Sequence, residues 1–148
     1  MVKKIVKNEN SLKVVSSTVK DFSGIPKLLV DMKDTLLAGR GVGLAAIQIG
    51  TQRRVIFITT YNSTTGKKSL IPMINPVIID EYGEYMSYEG CLSFPKKFGY
   101  IKRSVDVCVS FQDPSGEYKE SILMDEEAFI FQHEFDHLNG IICIDKFF

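Results

Sequence analysis

Ile25, Leu28, Leu29, Met32 and Leu36 recur at helical spacing and predict a helix from about Ile25 to Ala38. Ser23 is expected to cap it, Pro26 suits its first turn, and Gly39 and Gly41 are expected to end it. The pattern then turns strand-like. Val55–Thr60 is rich in β-formers, and Tyr61–Lys68 is polar and turn-forming. Asn75–Pro76 interrupts Ile71–Ile79, so that strand is expected to be bent or to lie on an edge. Val105, Val107, Val109 and Phe111 alternate as a half-buried strand should. Asp113–Pro114–Ser115–Gly116 reads as a turn into a further strand, Tyr118–Leu123. A second helix is expected from a cap at Asp125, with Glu126 and Glu127 at its positive end, through Leu138 to a stop at Asn139–Gly140. The predicted fold class is α+β: mostly antiparallel strands packed around one central helix, with a helix near the N-terminus.

Length adds one constraint. A chain of 148 residues without a visible linker or repeat suits a single domain, residues 1–148. With 18 basic and 18 acidic residues the formal charge is zero, which argues against a general nucleic-acid or acidic-lipid surface. The first residues hold no apolar run of signal-peptide length, and no transmembrane run occurs, so a cytoplasmic location is the expectation. An odd set of three cysteines fits thiols or metal ligands better than a disulfide framework.

The chemistry concentrates in the second helix. Both histidines of the chain lie in His133–Glu134–Phe135–Asp136–His137. A spacing of four puts both imidazoles on one helical face, close enough to hold one ion, with Glu134 between them as a general base. A catalytic divalent ion usually takes a third protein ligand and keeps one position for water. Cys143, six residues past His137, and Cys91, far upstream in Glu89–Gly90–Cys91–Leu92–Ser93, are the candidates. Cys143 sits in an apolar run that suits a small core residue, and Cys108 reads as strand packing. Cys91 occupies a polar, glycine-containing turn better suited to a ligand. A thiolate facing two imidazoles suits iron(II), zinc, nickel or cobalt. In Gly41–Val42–Gly43–Leu44–Ala45–Ala46–Ile47–Gln48, small residues favour close backbone approach. The lone polar side chain, Gln48, fits a bonded core amide or an oxyanion donor.

Taken together, GVGLAAIQ at 41–48, EGCLS at 89–93 and QHEFDHLNG at 132–140 resemble the three signature segments of peptide deformylases, in the same order. The INPVI stretch at 74–78 and Arg103 also look like that family. The resemblance implies Cys91, His133 and His137 as metal ligands, Glu134 as general base, and Gln48 with the Leu92 N–H as oxyanion donors. It implies iron(II) as the resident ion, with zinc, nickel or cobalt as alternatives. The implied substrates are N-formylmethionyl peptides of newly made proteins, met at the ribosome by a monomer. The methionine side chain would enter a pocket walled by Val42, Phe129, Ile130 and the His133 region. The peptide would lie extended beside Gly43 and the segment holding Gly90. Asp136 is expected to pair with Arg103 and brace the helix. The chain departs from the family pattern at Ile47 and at Glu126, and an organellar or phage origin stays open. The alternatives are an HExxH metallopeptidase with Cys143 as third ligand, or a silent descendant that binds peptide ends.

Overall fold

The computed structural model describes residues 1–148. Helix α1 (Glu9–Leu12) is a single turn, and helix α2 (Ile25–Gly39) follows. Strand β1 (Gly43–Ala45) leads through a 3₁₀ turn (Ala46–Ile49) into β2 (Val55–Tyr61) and β3 (Lys68–Tyr82). Strands β4 (Tyr85–Cys91) and β5 (Phe94–Arg103) form a hairpin. Strands β6 (Asp106–Gln112) and β7 (Tyr118–Met124) precede helix α3 (Glu126–Leu138), and a second 3₁₀ turn (Cys143–Asp145) follows it.

All strand pairs are antiparallel. One sheet has the order β1-β2-β3-β6-β7, and β4-β5 stands as a separate two-stranded sheet. Strand β2 explains how the layers stack. Its Val55–Ile58 run is apolar without alternation because both faces are covered. Ile56 and Ile58 join the larger core with Phe131 and Leu138 of α3, while Val55 and Phe57 join a second core with Met32 and Leu36 of α2. The central helix is thus clamped between the five-stranded sheet and the β4–β5 hairpin. No helix is long and apolar enough to cross a membrane.

Two local expectations need correction, and a third is decided between its alternatives. Ser23 does not cap α2; Gly24 holds that position without a side-chain bond, and the Ser23 N–H donates to Asp21 instead. Asp125 precedes α3 as expected, but at φ 54° its side chain makes no cap. The first turn is tied from outside: Glu127 accepts from the Tyr61 backbone N–H (2.8 Å) and Glu126 from the Tyr61 hydroxyl (3.1 Å). The Asn75–Pro76 strand is bent but central, not an edge, lying between β2 and β6. Its register slips between Ile74 and Val77, with Asn75 at φ 52°. A bulge absorbs the proline's missing N–H, and asparagine tolerates the left-handed backbone. The Asn75 side chain bonds both backbone groups of Val19, at 2.8 and 2.9 Å.

Candidate metal centre

Helix α3 contributes one continuous face to the site. Ala128, Ile130 and Phe131 are buried against the sheet, which carries His133, Glu134 and His137 into the interior. Opposite them, β4 runs with Ser87, Glu89 and Cys91 on its inner side, and Cys91 ends the strand at the hairpin turn. Ligand atoms of Cys91, His133 and His137 all lie within 4.8 Å of one another. The Cys91 Sγ–His137 Nε2 distance is 3.5 Å. Cys143 does not join this group. It is buried in the larger core, against which Cys91 packs.

Of the two imidazoles, His133 is the one held from behind. His133 Nδ1 lies 2.9 Å from Glu89 Oε1, so Nδ1–H donates to the carboxylate and fixes the ring. Glu89 also takes both Nε and Nη2 of Arg103, at 2.9 and 2.8 Å, a two-pronged pair. Arg103 reaches on to Asp136 at 2.6 Å, and Lys146 closes the chain at 3.1 Å from the same carboxylate. The expected Asp136–Arg103 pair therefore forms, and Arg103 bridges Asp136 to Glu89. Glu89 is a residue of the site that motif spacing alone does not mark. Its signal was strand alternation, which sets Glu89 and Cys91 on one face two residues apart.

The charges act on one another strongly. Burial would raise the Glu89 carboxyl, but Arg103 and His133 outweigh it and hold it down to about 2. Burial lowers His133, yet Glu134, Cys91 and Glu89 together raise it well above the usual imidazole value. The Cys91 thiol is lowered, first by contact with the Cys143 thiol and then, against its burial, by the two imidazoles. Glu134 is pushed up to about 7 by burial, against the pull of His133 and His137. A carboxyl poised near neutrality can both accept and return a proton.

Glu134 sits hard against β1. A Cβ placed on Gly43 would fall 2.6 Å from Glu134 Oε2. The other oxygen, Oε1, is enclosed without a partner, as is His137 Nδ1. Gln48 is 1% exposed, at the end of the 3₁₀ turn after β1. Its Oε1 accepts from the Ala45 N–H (3.0 Å), so its Nε2 points toward Ser93 Oγ (3.1 Å) and Cys91 Sγ (3.4 Å). No backbone hydrogen bond outside the helices and strands uses the Leu92 N–H. A cleft of about 530 Å³ opens beside these groups. Val42, Gly43, Gly90, Leu92, Phe129 and Ile130 all line it, together with Gln48, Cys91, His133 and Glu134. Gly90 is needed there, because a Cβ would fall 2.5 Å from the Phe98 ring.

The donor set suits a catalytic divalent ion. It has one thiolate and two imidazoles, a carboxylate orienting one imidazole, and an enclosed carboxylate oxygen alongside. The set stops at three, which leaves the open position such sites keep for water. An α+β scaffold carrying this cage, with a near-neutral carboxyl beside it at the head of a cleft, defines a metal-dependent hydrolase. Residues 2–147 match the family model described as polypeptide deformylase. The chain is 40% identical to peptide deformylase 2 of Clostridium perfringens, over 98% of this chain and 92% of that protein. It is 38% identical to the peptide deformylase of Campylobacter jejuni, over 99% and 86%. The structure superposes on a class I type b peptide deformylase of Acinetobacter baumannii, solved with Met-Ala-Ser bound, at a TM-score of 0.89 and 31% identity. That match covers 99% of this chain and 98% of the other. The chain belongs to the polypeptide deformylase family.

Proposed function

We propose that the protein removes the N-formyl group from N-formylmethionyl peptides of newly made proteins, releasing formate. The observation that carries this reading is the enclosed, unpartnered Glu134 Oε1 beside a three-ligand cage at the head of a peptide-sized cleft. Cys91, His133 and His137 would hold the ion, which we take to be iron(II) in the cell, with zinc, nickel or cobalt able to replace it. When bound, it supplies Lewis-acid polarisation of the formyl carbonyl and a water of lowered pKa.

The chain's own residues do the rest. Glu134 takes the proton of the attacking water and delivers it to the departing amine. Gln48 Nε2 and the Leu92 N–H donate to the carbonyl oxygen as it gains charge. Strand β1 is an edge of the five-stranded sheet and β4 belongs to the separate hairpin, so an extended peptide can enter between them as an added strand beside Val42, Gly43 and Gly90. Phe129 and Ile130 give the leading side chain an apolar wall. Residues from Gln48 to His137 build the cage and its donors, so we treat residues 1–148 as one catalytic domain working as a monomer. Its substrates would be met at the ribosome, in the cytoplasm.

The test is formate release from formyl-Met-Ala-Ser by anaerobically purified, iron-loaded protein. Formate without internal cleavage is the expected result. Internal peptide cleavage without formate would sink the reading and favour a metallopeptidase.

A further inference from the structure

One buried polar group in the cleft has no task in the reaction above. Ser87 lies in mid-β4, facing α3 in the same row as Glu89 and Cys91. It is 6% exposed, and its hydroxyl makes no hydrogen bond within the protein. The hydroxyl is not sealed in: the side-chain atoms both enclosed and unpartnered are Ser16 Oγ, Glu134 Oε1 and His137 Nδ1. Ser87 Oγ therefore opens on the cleft, which it lines with Phe129, Ile130 and His133.

A purely hydrocarbon side chain filling this pocket would displace water from the hydroxyl and leave it unpaired, an unfavourable outcome for a buried donor. A side chain with an acceptor near its end would not. Ser87 stands two residues, about 7 Å along the strand, from the Glu89 that holds His133. That offset suits the far part of a long side chain whose backbone lies at the cage. Phe129 and Ile130 flank its apolar stem, and Tyr85 stacks on Phe129 at 5.1 Å to steady that wall. A thioether is an unbranched, flexible chain with a weak acceptor at the sulfur.

We propose that Ser87 is a specificity-determining residue: its hydroxyl donates to the thioether sulfur of the substrate's leading methionine. The pocket thereby separates methionine from a hydrocarbon side chain of the same length. This proposal rests on the deformylase reading.

The experiment compares formyl-Met-Ala-Ser with formyl-norleucyl-Ala-Ser, using metal-loaded wild type and Ser87→Ala. Wild type should favour the methionine peptide about fivefold in kcat/KM, the size of one modest hydrogen bond. Ser87→Ala should bring the ratio close to one. The same contrast is expected in calorimetric binding of the unformylated peptides Met-Ala-Ser and norleucyl-Ala-Ser, which needs no turnover. Equal handling of both peptides by wild type overturns the proposal, as does a preference that survives in Ser87→Ala. Formate from neither peptide overturns the deformylase reading instead, and the binding comparison still decides the role of Ser87.

Discussion

The cleft has two walls of unlike construction. Helix α3 is wedged into the larger core, with Phe131 and Leu138 fully buried beneath its ligands. Strand β4 belongs to a two-stranded hairpin, a unit of marginal stability on its own. The helix wall is rigid because of what it buries. The hairpin wall is pinned by the Glu89–Arg103–Asp136 ion pairs and by the C-terminal residues: Phe147 packs over Gly99, and the Phe148 N–H donates to the Tyr100 carbonyl at 2.8 Å. Two ligands come from the first wall and one from the second. The cage is therefore only as well formed as the pins that hold the hairpin to the helix.

The sharpest test of the helix wall is Glu134→Gln. It should lower kcat about 10²- to 10⁴-fold while metal content stays unchanged. A loss under tenfold would show that the proton is handled elsewhere. On the hairpin wall, Cys91→Ala should cost the protein its ion and Cys143→Ala should not, as read by elemental analysis. The reverse pattern would move the third ligand to the segment after the helix.

Glu89→Gln attacks the pin itself. It should weaken metal affinity about 10- to 100-fold. It should also lower stability by about 3 kcal/mol, since Arg103 is left buried with a poorer partner. The sign of the pH dependence follows from Glu89 being held at about 2 against an ordinary 4.5. Its contribution is present above 4.5 and lost as pH falls from 4.5 toward 2. In urea unfolding, wild type and variant should therefore converge across that window, and a constant gap would contradict the assignment. The smallest effect is expected from Lys146→Ala at the exposed end of the network, under about 1 kcal/mol and without change in metal binding.

The contrast between the walls also explains what the chain disclosed before its structure was known. The α3 ligands were legible because they fall in one contiguous run whose helical period places them together. The β2 strand and the β6–β7 pair were legible from ordinary alternation or apolar runs. The hairpin was not. Its inner positions Ser87 and Glu89 are polar, while the outward Met86 and Tyr88 are apolar and exposed, the reverse of a strand over a core. That inversion arises because this face lines a functional cleft instead of a packed interior. Cys91 and Gln48 were assigned through family resemblance, since a turn cysteine and a buried amide carry no periodic signal. Glu89 and Ser87 went unassigned because their partners, His133 and the cleft, exist only after the hairpin has docked.

Gly43 shows how a position can matter by what it omits. Glu134 Oε2 occupies the space its side chain would fill, 2.6 Å from where a Cβ would stand. A saturation-mutagenesis screen for activity should therefore mark Gly43 as intolerant even of alanine, although it has no side chain to offer. Searches for functional positions that weigh only reactive side chains would pass over it, and redesigns of the cleft should leave it alone.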